Sequence, residues 1–142
     1  MFKNLKLLIV FGCFFLIACS PTKNKPLSIE FSSDSNKIVI TNINEAGLYQ
    51  LKINLNTDST YQKLVAVLQT PSDKDSTSVE VELPGMLSMQ GDSLLFTPNT
   101  SFIKGKTYLV ETFINTEFAS GKDIIHSDVG HSVKPIQKTL KR

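Results

Sequence analysis

The stretch M-L-S-M-Q-G-D-S-L-L-F-T, from Met86 to Thr97, decides the fold. Two short apolar-rich runs flank Gly91-Asp92, a two-residue loop of the kind that takes positive φ in a tight hairpin. Strand-like runs separated by turn residues extend from it in both directions. Upstream, Val79, Val81 and Leu83 alternate with Ser78, Glu80 and Glu82. Leu48 to Leu55 shows period 2, with Tyr49, Leu51, Ile53 and Leu55 on one side and Gln50, Lys52 and Asn54 on the other. Asn44 to Gly47 reads as the turn before it. Lys37 to Ile43 carries a β-branched run suited to a sheet, and Leu27 to Phe31 alternates ahead of the turn residues Ser32 to Asn36.

Downstream, Lys106 to Ile114 is apolar on both faces in places, which predicts a central strand. Ala119 to Lys122 makes a turn into Asp123 to Ser127, and Val129 to Ile136 reads as a last strand. One segment is ambiguous. Tyr61, Leu64, Val65 and Leu68 have helical spacing, with Ser59 and Gln62 as a capping box. Val65 to Leu68 also fits a buried strand, and Pro71 stops either element. A strand, or a strand with a helical first turn, is favoured. About eight strands with no long helical pattern predict an all-β protein, a single antiparallel sandwich.

Part of this pattern resembles the core of bacterial Ig-like domains of the S-layer-protein type. The residues are Leu94, Leu95, Phe96, Thr97 and Pro98, then Phe102, Gly105 and Tyr108-Leu109-Val110, within Val79 to Phe118. Pro98 ends ladder pairing, Phe102 is expected to plug the sandwich end, and Gly105 lets the chain reverse. Tyr108 is expected to bury its ring while its hydroxyl reaches backbone, as in a tyrosine corner. After this strand the family's Asp and Gly-Asn are only loosely echoed by Gly121 and Asp123. The resemblance implies a module that binds, spaces or connects, and no specific chemistry.

The N-terminus addresses location. Lys3 and Lys6 precede an apolar run from Leu7 to Ala18, too short at about twelve residues to span a bilayer. The run ends Leu16-Ile17-Ala18-Cys19, followed by Ser20-Pro21. This resembles the lipobox of bacterial lipoproteins. It implies a signal peptide over 1–18, a diacylglycerol on the Cys19 thiol and a further, palmitate-type chain on its amine. Residues 19–26 then form a lipidated tether, 27–136 the Ig-like domain and 137–142 a basic tail. Thr22 and Lys23 after Ser20-Pro21 give no acidic signal next to the cysteine, which by the same resemblance points to the outer membrane, facing the periplasm.

Composition narrows the function classes. The 142 residues are 41% hydrophobic and 20% charged, with two cysteines and no tryptophan. Cys13 falls within the signal and Cys19 is taken by lipid, leaving no thiol for a disulfide, a nucleophile or a metal. Without Lys3 and Lys6 the chain is formally neutral. Between Leu27 and Val133, 7 basic residues face 13 acidic ones. An acidic body argues against a nucleic-acid partner. Lys134, Lys138, Lys141 and Arg142 form a basic end, read as solvated or as touching anionic headgroups.

Candidate sites are few. His126 and His131 with Asp123 and Asp128 offer two imidazoles and no clear third ligand for a metal. Glu80 and Glu82 share one strand face but read as solvated. No nucleophile elbow and no phosphate loop is present, so no catalytic residue and no cofactor is expected. Asp58-Ser59-Thr60, Asp75-Ser76-Thr77 and Asp92-Ser93-Leu94 resemble the acceptor triplets of a bacterial envelope O-glycosylation system, with Ser59, Ser76 and Ser93 as acceptors. Such triplets also arise in turns, where Asp and Ser are favoured. The expected partners are the membrane through Cys19 and an envelope protein or glycan. The rival readings are a small envelope hydrolase and a subunit of an envelope assembly.

Overall fold

The computed structural model describes residues 25–71, 79–114 and 134–142. Strands β1 (Ser28–Phe31) and β2 (Ile38–Thr41) pair antiparallel across the Ser32 to Asn36 turn. Helix α1 (Glu45–Asn54) and a 3-10 turn (Ser59–Lys63) carry the chain to the second sheet. There follow β3 (Val65–Gln69), the two-residue β4 (Val81–Glu82), β5 (Gly85–Gln90), β6 (Ser93–Pro98), β7 (Thr107–Thr112) and β8 (Ile136–Lys141). Two antiparallel four-stranded sheets pack against each other, in the orders β1-β2-β6-β5 and β4-β3-β7-β8. Lettered along the described strands, with β4 as C′, the sheets are A-B-E-D and C′-C-F-G of an all-β sandwich.

Period-2 alternation fills the space between the sheets. Ile38 and Ile40 of β2, Leu94 and Phe96 of β6 and Leu87 of β5 meet Val65 and Val67 of β3 and Tyr108 and Val110 of β7. Among the described residues the core contains neither tryptophan nor cysteine. An aromatic cluster closes one end instead: Phe31, Phe102 and Tyr108 stack edge to face, with ring centroids 4.9 to 6.3 Å apart. The predicted hairpin is present as β5–β6, with Gly91 at φ 60°. The predicted central strand is β7, paired on both sides.

Three stretches differ from the sequence expectation: Leu48 to Leu55, the run around Glu80 and the stretch from Gln137 on. Leu48 to Leu55 lies in and just after α1 and is not a strand. The Asn44 side chain accepts from the Gly47 N–H at 2.6 Å, so the expected turn is a helix N-cap. At helical pitch Leu51 and Leu55 point into the core, 0% and 3% exposed, while Tyr49 and Ile53 point out at 63% and 50%. The apolar alternation fits period 2 and not the helical one; the Asn44 cap and the packing of Leu51 and Leu55 go with the helix.

The ambiguous segment takes the favoured form, a strand preceded by a helical turn, and splits at Leu64. Its first part is the 3-10 turn, but Asp58 caps it, accepting from the Thr60 N–H, so the Ser59–Gln62 capping box does not form. Its second part is β3. Around Glu80 only Val81 and Glu82 pair, and Val79 and Val81 are exposed.

The stretch assigned to a basic tail is the edge strand β8, registered on β7 from Thr107↔Lys141 to Thr112↔Ile136. Lysines are common on edge strands, which they protect from further pairing. The strand expected over Asp123 to Ser127 lies outside the described residues, as does most of the one expected over Val129 to Ile136; of its described residues, Lys134 and Pro135 are not in a strand and Ile136 opens β8.

Candidate functional site

Both sheets end on the same side of the sandwich in an edge strand. Among the described residues β1 pairs only with β2 and β8 only with β7. Between them runs a groove of about 560 Å3, lined by both strands together with Pro26 and Asn42. Leu27, Ile29 and Phe31 alternate toward the interior from β1. Ile136, Lys138 and Leu140 occupy the matching positions on β8, since their partners Thr112, Val110 and Tyr108 are all buried. The floor is apolar and the rim polar: Ser28 donates to Glu30 at 2.8 Å, and Gln137 to Glu111.

Lys138 is the exception within this row. It stands at an inward-facing register position yet is exposed, which puts a cation at the lip of the groove. Among the described residues it makes no ion pair; the pair found there is Lys52–Asp92 at 2.7 Å. An inward-pointing charge on an edge strand discourages an indiscriminate apolar strand and favours one that brings a carboxylate.

The opposite side of the sandwich is treated differently. The β5 edge is occupied by the Gln62 side chain. Gln62 Oε1 accepts from the Leu87 N–H at 2.8 Å, while its Nε2 donates to the Leu87 carbonyl at 3.2 Å and the Leu55 carbonyl at 3.3 Å. One side-chain amide thus replaces a neighbouring strand for one residue. β4 is two residues long and is followed by Pro84, which offers no N–H.

The residues singled out in the sequence are mostly structural. Phe96 is buried in the middle of its sheet, in register with Ile38 and Leu87. Pro98 ends β6 opposite Gly85. Tyr108 is buried, and its Oη accepts from the Ile103 N–H at 2.7 Å, which makes the expected tyrosine corner. Gly105 sits at φ 82°, between the Phe102 plug and β7.

Of the triplet serines, Ser59 is exposed at the first position of the 3-10 turn, beside Asp58. The Thr60 hydroxyl and then its N–H hold the Asp58 carboxyl below the ordinary range. Ser93 is half-buried as the first residue of β6. Cys19, Ser76, Asp123, His126, Asp128 and His131 lie outside the described residues. Among those described, no three His, Cys, Asp or Glu side chains come together as metal ligands, and no helix is long and apolar enough to cross a membrane.

The sequence reading missed the groove and Gln62. A lysine amid a short apolar alternation, Ile136-x-Lys138-x-Leu140, was the available signal for the first. Gln62 carried none, because its partner is backbone 25 residues away. No known protein family, curated protein or solved structure matches the chain.

Proposed function

We propose that the chain is a lipid-anchored module of the cell envelope, held through Cys19 at the periplasmic face of the outer membrane. It works by binding and not by catalysis, and takes an extended segment of an envelope protein into the β1–β8 groove. One observation carries this reading: on one side of the sandwich the Gln62 amide occupies the β5 edge and β4 is only two residues long, while on the other, among the described residues, two edge strands without an outer partner meet over an apolar floor. An extended peptide pairs its backbone with such an edge and drops alternate side chains into the groove. Lys138 selects a segment with a carboxylate at the facing position.

The anchor is tested by the mass of the processed N-terminus and by membrane fractionation, with Cys19→Ala as the comparison. A lipid increment lost in the variant, together with membrane retention, supports it. A soluble, unmodified product from both chains refutes it. The groove is tested with a photo-crosslinking residue at Gln137 in cells, and a second at Lys63, on the 3-10 turn, as reference. The expected adduct forms at 137 alone and is lost with Lys138→Glu, while thermal stability is unchanged. Equal adducts at both positions, or one indifferent to Lys138→Glu, would refute groove binding.

A further inference from the structure

The outward face of α1 points to a second contact, with the bilayer itself. Tyr49 and Ile53 are one helical turn apart, 63% and 50% exposed, so they form a single apolar patch with a phenol on it. α1 is held at one particular end of the sandwich. Lys52 Nζ bonds Asp92 Oδ1 at 2.7 Å, and Asp92 lies in the β5–β6 turn. β2 ends at that same end, because Ile40 is in register with Leu94, two residues past the turn.

The chain enters the domain there as well. Ser28 is in register with Thr41, and Asn42 Nδ2 donates to the Pro26 carbonyl at 3.1 Å. Asn42 precedes the α1 N-cap, Asn44, by only two residues. Six peptide steps separate Lys25 from Cys19, a reach of at most about 20 Å when fully extended. A lipid on Cys19 therefore brings the α1 end toward the bilayer and keeps the aromatic cluster at the far end away.

We propose that Tyr49 and Ile53 seat α1 in the headgroup layer, so that the lipidated domain stands on the membrane in one fixed orientation with the β1–β8 groove upright. This inference rests on lipidation at Cys19. A tyrosine suits the interfacial layer because its ring is apolar and its hydroxyl stays hydrated. The flanking polar residues Glu45, Gln50 and Lys52 keep the helix from entering deeper.

The chain has no tryptophan, so one introduced tryptophan reports on its own surroundings. Tyr49→Trp is made in the full lipidated chain, with Met86→Trp as the reference, since Met86 is 67% exposed near the other end of β5. Each is reconstituted on phosphatidylethanolamine/phosphatidylglycerol vesicles containing brominated lipid. The expected result is a blue-shifted, bromine-quenched emission for Tyr49→Trp and a water-exposed, unquenched one for Met86→Trp. If the chain floats with the vesicles but Tyr49→Trp stays water-exposed, the seating is refuted and the anchor stands. If the chain does not float and its N-terminus carries no lipid, both readings fall.

Discussion

Removing one oxygen from Tyr108 tests whether the corner at the E–F end holds the sandwich together. Tyr108→Phe keeps the ring against Phe31 and Phe102 and deletes only the acceptor of the Ile103 N–H, 2.7 Å away. That N–H is part-buried in a loop and has no strand partner to turn to. Leaving a partly desolvated donor unpaired costs about 1–2 kcal/mol. Truncating the ring as well, in Tyr108→Ala, adds the transfer and cavity cost and brings the loss to about 3–5 kcal/mol.

With a urea slope of about 1.5 kcal/mol/M for a domain of this size, Tyr108→Phe lowers the midpoint by about 1 M at unchanged slope. Far-UV circular dichroism against urea reads both quantities. A Tyr108→Phe midpoint within about 0.2 M of the parent, with Tyr108→Ala strongly shifted, would refute the corner: the ring would then matter and the hydroxyl would not.

Gln62→Ala uncovers the β5 edge and leaves the Leu87 N–H and carbonyl to water. It is expected to cost about 1–2 kcal/mol and to raise the aggregation rate, read by the urea midpoint and by light scattering; Gln62→Glu, which keeps the acceptor and loses the donor, should fall between. Gly85→Ala places a Cβ 2.5 Å from the Phe96 ring and 2.6 Å from the Thr97 carbonyl, so β5 must shift, and a loss of at least about 2 kcal/mol is expected in the same assay. The Asp58 carboxyl lies below the ordinary range because the Thr60 hydroxyl and N–H donate to it. Its contribution is therefore full above the unfolded value of about 4 and is lost as pH falls through the folded one. The melting temperature of the parent should drop more steeply than that of Asp58→Asn as pH is lowered below about 4; parallel curves would count against it.

The sequence by itself determined the elements whose signals are local. Gly91-Asp92 specifies a hairpin because a two-residue loop needs positive φ, and Gly91 has it. The span from Pro98 to Tyr108 ends one strand, reverses the chain and opens the next through residues near in sequence, so the corner was legible before any sheet was placed. The sandwich followed from the number of such strands.

Tertiary structure decided what depended on facing surfaces. Leu48 to Leu55 alternates with period 2 and has no apolar stripe at helical pitch, so the helix could not be read from the pattern. Only the core beneath it selects Leu51 and Leu55 as the buried pair and leaves Tyr49 and Ile53 outside. Ile136 to Lys141 has a short alternation broken by Lys138 and lies among the basic residues of the C-terminal end, a weak strand signal by itself, yet β7 offers it an edge to pair with. Gln62 and the β1–β8 groove are likewise products of assembly. Each depends on which strand edges the two sheets leave unpaired, and that follows from how the sheets stack, not from any one segment.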